Sequence, residues 1–331
     1  MRELIVHIGA SKCASSTVQG FLSLNPVMAA GGRTYVYACL DNNGAVLHGE
    51  ELAEAGRHSV FGYAASYVAF DWVEQLGQGL RQIADIFDGD ESVIISNEGF
   101  WNLGIDPSSA TIFDDLGVPV RVFMLTRPPV DWANAGWWQW GCWEYETVGD
   151  WCDSIGFVDY KAGLDQWKQL RRLKQAYVAD ISQGPIPCLL DFLDITSGDF
   201  VYPEDLNVAS SAEVLRLLLG NREMFGRRTH EPEVEFRLNA LLNYKGPKPP
   251  FALSEAMVRR LVAGGRDSHR QLLDDMHWLR PETKQAVCEA YLSTRPYVGR
   301  CSDFDTQTFV SQGFSDSFVA LLGQRLLDGR P

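Results

Sequence analysis

The chain has 331 residues, of which 46% are hydrophobic and 22% are charged, which is typical of a globular protein with a large core. Its formal net charge of −14 argues against nucleic acid and anionic membranes as partners, because like charges repel. No run of about 18 apolar residues is present, so the sequence predicts no membrane-spanning helix.

The first predicted element is a strand that ends at a glycine and leads through a short turn into a helix. The apolar run 4–8 precedes Gly9, Lys12 follows, and the helix opens on three hydroxyl residues, Ser15, Ser16 and Thr17. Unpaired backbone N–H groups converge at such a helix N-terminus, and the helix dipole favours an anion there. The spacing fits an anion site, and it fits equally an ordinary strand–helix unit with a serine N-cap and an exposed lysine.

Further along the chain, apolar strand patterns alternate with helical ones. The patterns predict strands at 31–37, 92–96, 118–125 and 186–190, and helices at 48–55, 67–87, 108–116 and 164–177. Short, fully apolar strands are typical of a parallel sheet that is buried on both faces. The sequence therefore predicts an α/β fold with a parallel β-sheet flanked by helices, whose ligands bind at the carboxyl ends of the strands.

Helical patterns dominate the rest of the chain. A capped helix starts at Ser211, and after a loop over 243–251 further helices are predicted at 254–263, 271–278 and 281–292. We therefore expect a single domain over 1–331, with an α/β nucleotide-binding core over 1–205 and a mainly helical C-terminal extension over 206–331.

The cysteines indicate a cellular compartment. There are seven of them, an odd number, and no two form a C-x-x-C pair. This pattern favours free thiols in a reducing cytoplasm over a disulfide framework or a zinc site. The first residues also enter a strand pattern at once, without the layout of a signal peptide. The sequence therefore predicts a cytoplasmic location.

Charged side chains follow three of the predicted strands. Lys12 comes after the first strand, Glu98 after the strand at 92–96, and Arg127 after the strand at 118–125. Taken singly, such a carboxylate is often a helix cap, and an arginine before two prolines is often part of a stiff turn. Because the carboxyl ends of parallel strands meet at one edge of a sheet, we expect the three residues to lie together.

These residues resemble a known family, the sulfotransferases that use 3′-phosphoadenosine-5′-phosphosulfate (PAPS). The bacterial carbohydrate-type branch begins with a motif of the form H-I-G-x-x-K-x-G-S-[ST]-[ST], and this chain has His7-Ile8-Gly9, Lys12 and Ser15-Ser16-Thr17. The nucleoside-triphosphate loop, G-x-x-x-x-G-K-[ST], does not fit, because Lys12 stands three residues before the first hydroxyl. The resemblance covers about residues 1–220. It departs from the family at Ala14, usually glycine, and at Ala135, usually serine.

The resemblance implies an activity and a set of roles. The chain would transfer the sulfuryl group of PAPS to an acceptor hydroxyl and release 3′-phosphoadenosine-5′-phosphate (PAP), without a metal ion. Glu98 would be the general base, and Lys12 would stabilise the leaving 5′-phosphate. Arg127 would hold the 3′-phosphate, with Asn134 in place of the missing serine. The 5′-phosphosulfate loop would comprise Gly9, Lys12, Cys13, Ala14, Ser15, Ser16 and Thr17.

The acceptor is the least defined partner. Aromatic residues crowd into 132–151, where they fit either core packing or a platform for a sugar or apolar acceptor. Candidate acceptor contacts are His48, Trp101, Trp137 and Trp138. We expect a small molecule or a glycan, neutral rather than heavily sulfated because the chain is acidic.

Two alternatives to a sulfotransferase stay open. One is a nucleotide-binding relative without catalysis, which the alanines at 14 and 135 favour. The other is a P-loop kinase, which would need magnesium and a lysine directly before the hydroxyl.

Overall fold

The computed structural model describes residues 1–41, 43–59, 61–66, 72–102, 112–203, 210–225 and 234–328. The chain divides into two compact units, each made of three segments. The first comprises Met1–Pro128, Asp159–Asn207 and Arg266–Cys288, and the second comprises Pro129–Val158, Val208–Gly265 and Glu289–Pro331. The boundary expected at residue 205 falls close to one of these divisions. Residues 129–158 belong to the second unit, although the sequence predicts them in the α/β core. Residues 266–288 belong to the first unit, although the sequence predicts them in the C-terminal extension.

The first unit is built on a mixed sheet of seven strands. They are β1 (Glu3–His7), β2 (Val27–Ala30), β3 (Arg33–Leu40), β4 (Val46–His48), β5 (Ser92–Ser96), β6 (Val120–Thr126) and β7 (Leu173–Asp180). The order is β2-β3-β5-β1-β6-β7, and β4 also pairs with β3. The strands β3, β5, β1, β6 and β7 run parallel, whereas β2 and β4 are antiparallel to β3. The predicted α/β fold with helices flanking the sheet is thus confirmed, and the sheet is mostly rather than entirely parallel.

Helices make up most of the remaining structure. The α-helices are α1 (Ser15–Leu24), α2 (Gly49–His58), α3 (Trp72–Ile86), α4 (Gly99–Asn102), α5 (Pro129–Gly136), α6 (Cys142–Glu144), α7 (Val148–Ile155), α8 (Tyr160–Trp167), α9 (Pro185–Phe192), α10 (Ala212–Gly220), α11 (Arg222–Phe225), α12 (Val234–Leu242), α13 (Glu255–Gly264), α14 (Arg266–Asp275), α15 (Lys284–Leu292), α16 (Thr306–Ser311) and α17 (Asp316–Leu327). A π-helix spans Trp137–Gly141, and short 3₁₀ turns span Ile181–Gln183, Pro281–Thr283 and Arg295–Tyr297. Within the described ranges, no helix combines the length and the apolar character needed to cross a membrane.

Two of the predicted elements are wrong. The apolar run 186–190, predicted as a strand, lies in helix α9, because a short apolar run does not distinguish a buried strand from a buried helix. Pro185 stands at the start of that helix, where its fixed φ suits the first turn. The last parallel strand is β7 instead, in a region predicted as helix; polar residues in its first half conceal the strand pattern. Residues 67–71 and 108–111, in two further predicted helices, lie outside the described residues.

The second unit has its own core, which absorbs much of the aromatic segment. Trp137 is fully buried there, and Trp138 and Trp151 are nearly so. They pack with apolar residues from α10, α13 and α17, such as Leu215, Leu261 and Phe318. Packing in the core therefore accounts for these three tryptophans.

The amino ends of β1 and β6 are joined by a buried ion pair, and a hydrogen bond links β5 to it. The Glu3 carboxylate lies 3.2 Å from Nη1 of Arg121, and both side chains are almost fully buried. Glu3 also accepts hydrogen bonds from Ser92 at 3.5 Å and from Lys174 at 3.3 Å. The Arg121 guanidinium lies 4.3 Å from the ring centre of Phe192. Glu3 and Arg121 therefore each have a partner of opposite sign.

Candidate functional site

The loop between β1 and α1 contains two residues in the left-handed region of backbone conformation. Lys12 has a φ of +62° and Ala14 a φ of +63°, with Cys13 between them. Each costs roughly 1–2 kcal/mol in a residue other than glycine, and strain of this kind concentrates at ligand sites. Alternation of backbone conformations turns successive N–H groups to one side, as in anion-binding nests. Ala14 is also the N-cap of α1, and no side chain caps that helix.

The three hydroxyl residues occupy the first turn of α1. Ser15 is buried, and its hydroxyl donates to the carbonyl of Ala10 at 3.4 Å. Ser16 is half-buried, and its hydroxyl lies 3.1 Å from that of Tyr63. Thr17 is also half-buried. The predicted hydroxyl donors therefore stand at the start of a ten-residue helix, directly after the strained turn.

His7 lies beneath this loop at the end of β1. Its Nδ1 is 2.8 Å from the Ser96 hydroxyl, and its Nε2 has no hydrogen-bond partner among the described residues. Burial lowers the pKa of His7 to about 3, so the ring is neutral near pH 7. A Cβ on Gly9 would lie 2.9 Å from that Nε2 and 2.3 Å from the Ser15 hydroxyl oxygen, so only glycine fits there. A buried ring nitrogen without a partner and a backbone free of side chains are both compatible with a bound phosphate.

Glu98 follows β5 and lies beside the same loop. Burial raises the pKa of its carboxyl group, and the charge of Lys12 and the nearby hydroxyl groups of Ser11 and Ser15 partly oppose that effect. The backbone carbonyl of Glu98 accepts the N–H of Trp101 at 3.2 Å, which fixes the residue at the start of α4. A carboxyl group with a raised pKa can accept a proton more readily than an ordinary glutamate.

Arg127 completes the group at the end of β6. Its charge acts on the Cys13 thiol and on the Tyr160 hydroxyl. Burial raises the pKa of Cys13 to about 12, so this residue stays a neutral thiol and is unsuited to nucleophilic attack. The structure thus brings Lys12 close enough for its charge to act on the Glu98 carboxyl group, and Arg127 close enough for its charge to act on Cys13.

Sequence analysis missed Tyr160, which lies far from the other residues along the chain. It is the first residue of α8 and is fully buried. Its hydroxyl is 3.5 Å from Cys13 Sγ and accepts a hydrogen bond from the backbone N–H of Arg127. No spacing or composition signal marks it, because both contacts are tertiary.

The other predicted site residues lie elsewhere or face other partners. His48 is on β4, and its ring packs edge-on against Phe87 at 5.2 Å. Asn134 belongs to the second unit, where its side-chain oxygen accepts the N–H of Ala252 at 2.8 Å. Trp138 donates from its indole to the carbonyl of Pro250 at 2.9 Å. Trp101 is half-buried, and its ring lies 5.4 Å from that of Tyr160, so among the acceptor candidates it is the one that contacts the surroundings of the loop.

Comparison of the chain with protein-family models, with curated proteins and with solved structures gives no match. In the described ranges, no group of three or more His, Cys, Asp or Glu side chains is arranged to hold a metal ion.

Proposed function

We propose that this protein is a PAPS-dependent sulfotransferase with the P-loop-type sulfotransferase fold, and that Glu98 is its general base. The observation that carries the proposal is the position of Glu98. A carboxyl group whose pKa is raised by burial lies against a strained anion-type loop that also carries a lysine. A proton acceptor beside an anion-binding loop is what transfer from an anionic donor to a hydroxyl requires.

Glu98, Lys12 and Arg127 each have a separate role in the proposed reaction. PAPS supplies an activated sulfuryl group attached to a phosphate leaving group. Glu98, as the carboxylate, accepts the proton of the acceptor hydroxyl while the hydroxyl oxygen bonds to sulfur. The bond between sulfur and the 5′-phosphate oxygen breaks, and its electron pair stays on the phosphate. Lys12 and the loop N–H groups hold the negative charge on the 5′-phosphate, and each such donor contributes roughly 3 kcal/mol. Arg127 holds the 3′-phosphate through two parallel N–H donors.

The proposal also includes the kind of acceptor and the cellular location. A net charge of −14 disfavours a polyanionic glycan, and the half-buried Trp101, whose ring lies 5.4 Å from that of Tyr160, favours a flat or apolar molecule. We therefore propose a hydroxyl on a neutral sugar, a phenol or a small apolar metabolite. All seven cysteines are free, which supports a reducing cytoplasm.

A binding protein without catalysis is the second candidate. Ala14 favours it, because a left-handed residue with a Cβ crowds a loop that a phosphate must approach closely. A turnover assay separates the two, since a binding protein retains PAP but transfers no sulfate.

The direct test is calorimetry of the full chain with PAP and, separately, with ATP and magnesium, followed by transfer from radiolabelled PAPS to neutral glycans, phenols and lipid alcohols. We expect PAP to bind and at least one acceptor to be labelled. Binding of ATP with magnesium alone would end the sulfotransferase proposal and favour a kinase.

Lys12→Ala sharpens this test. Removing a charge-assisted partner of the donor weakens PAP binding by roughly 10- to 100-fold, since such bonds contribute about 1.5–3 kcal/mol. Lys284→Ala removes the same charge from an exposed position in the same unit and is the matched control. Equal affinity of both variants for PAP would show that Lys12 does not contact the donor.

A further inference from the structure

A single buried oxygen joins two of the strand-end segments. The Tyr160 hydroxyl lies 3.5 Å from Cys13 Sγ in the loop after β1, and it accepts the backbone N–H of Arg127 at the end of β6. Burial raises the pKa of Tyr160 well above its ordinary value, so the hydroxyl keeps its proton. It can therefore donate to the sulfur while it accepts from Arg127.

The position of this oxygen is fixed by its helix. Asp159 caps α8 by accepting the N–H of Ala162 at 3.0 Å, and it also accepts the Ser268 hydroxyl. One turn further, a Cβ on Gly163 would lie only 2.0 Å from the Trp101 ring, so the helix backbone packs directly on the segment that follows Glu98. The start of α8 is thus held against the ends of β1, β5 and β6 together.

The residues that Tyr160 contacts are those that set the donor-binding geometry. Cys13 lies between the two left-handed residues Lys12 and Ala14, so a contact with its side chain bears on the turn that carries the lysine. Arg127 precedes Pro128, and a bond to its N–H fixes the backbone from which its guanidinium extends. Both contacts are made between groups of the protein itself.

We propose that Tyr160 is a positioning residue that couples the loop at Lys12 to Arg127, so that the 5′- and 3′-phosphate groups of one ligand are bound at a fixed separation. This inference rests on the proposed function, since it takes Arg127 as the 3′-phosphate ligand. It predicts a selective effect, because a ligand with both phosphates benefits from the coupling and a ligand with one does not.

The test uses Tyr160→Phe, which removes only the oxygen, and calorimetry with PAP and with adenosine 5′-monophosphate. We expect the Kd of PAP to rise about tenfold, the ratio that corresponds to one buried hydrogen bond. The Kd of the monophosphate should change less than about twofold on the same reasoning. In an Arg127→Ala background the effect on PAP should disappear, because the coupled group is gone.

Tyr35→Phe is the matched control. Tyr35 is equally buried in the first unit, but its hydroxyl donates to the carbonyl of Leu193 at 2.6 Å and contacts no loop residue of the site. It should lower the unfolding temperature without distinguishing the two ligands. If Tyr160→Phe does not fold, Cys13→Ala removes the other end of the same contact and should show the same selectivity for PAP.

The outcomes separate the two proposals. If Tyr160→Phe lost affinity equally for both ligands, or lost none, the positioning role would be overturned. The proposed function would still stand as long as the unaltered chain bound PAP and transferred sulfate. If the unaltered chain bound neither ligand, the proposed function would fail and this inference with it.

Discussion

The strands β1, β5 and β6 carry polar side chains at both ends, and the two ends differ in how these side chains are satisfied. At the amino ends, Glu3 accepts hydrogen bonds from Ser92 and Arg121, one residue from each strand. At the carboxyl ends of the same strands, His7 Nε2 has no partner in the described part of the chain, and the next residues enter a turn with left-handed Lys12 and Ala14.

The difference separates a structural cluster from a candidate site. A buried ion pair is tolerated when hydrogen bonds satisfy both charges, as at the amino ends. Backbone strain and an unpaired buried nitrogen oppose folding, and they persist where the surrounding structure enforces them. We infer that the carboxyl ends retain both features because they serve a ligand. The following variants test this contrast.

The largest effect is expected at the amino ends. Arg121→Met leaves the Glu3 carboxylate buried without its main partner, which should cost about 3–5 kcal/mol of unfolding free energy. Urea unfolding of the full chain measures the loss. The double variant Arg121→Met with Glu3→Leu should recover part of it, because no buried charge is then left alone. Unchanged PAP affinity in the folded fraction is expected, and a loss of affinity would contradict the division of roles between the two ends.

The next effect concerns turnover. Glu98→Gln should lower the rate of sulfuryl transfer by about a hundredfold or more, as loss of a general base does, while PAP still binds. Glu54→Gln removes the same charge from an exposed position on α2 and is the control. Near-full activity of Glu98→Gln would place the base elsewhere, and His48 would be tested next.

The elements of the fold and the site residues that can be predicted from the sequence are those that depend on local patterns. The strands β1, β5 and β6 are apolar runs with a sharp end, so the sequence predicts where each strand stops and which residues follow it. The sequence does not predict strand β7, because Lys174 and Gln175 interrupt its apolar pattern. Tyr160 was missed because its contacts depend on where α8 packs, which no local pattern encodes. The aromatic segment was ambiguous, because tryptophan spacing does not reveal that Trp137 is fully buried.

A pH dependence follows from the raised pKa of Glu98. Below that pKa the carboxyl group is protonated and cannot accept a proton, so turnover should fall as the pH falls, with a midpoint above the ordinary value of about 4.3 for glutamate.

Binding should show the opposite sign. An anion near Glu98 favours the neutral carboxyl group, so PAP should bind with proton uptake and more weakly as the pH rises through the pKa. Among the described residues, the groups that act on or face Glu98 are Lys12, Ser11, Ser15 and Cys13, and of these only Lys12 is positively charged. Calorimetry in two buffers of different ionisation enthalpy measures the uptake. Glu98→Gln is the control, because it leaves only the titration of the PAP phosphates; equal uptake by both proteins would exclude Glu98 as the linked group.

The smallest effect tests the strain itself. Ala14→Gly places at the N-cap of α1 a residue for which a φ of +63° carries no steric cost. The relief of this steric strain outweighs the extra entropy of glycine in the unfolded chain. The unfolding free energy should therefore rise by about 0.5–1 kcal/mol, and Tm should rise by a few degrees. Ala55→Gly in the interior of α2 is the matched control and should lower the unfolding free energy by about 1 kcal/mol.

Ala14 is a cleaner probe than Lys12, because its replacement leaves the charge of the loop unchanged. PAP should bind Ala14→Gly at least as tightly as the unaltered chain, since the phosphate can then approach the backbone more closely. A loss of stability equal to that of Ala55→Gly would mean that the turn after β1 is not strained, and the contrast between the two ends of the sheet would then rest on His7 alone.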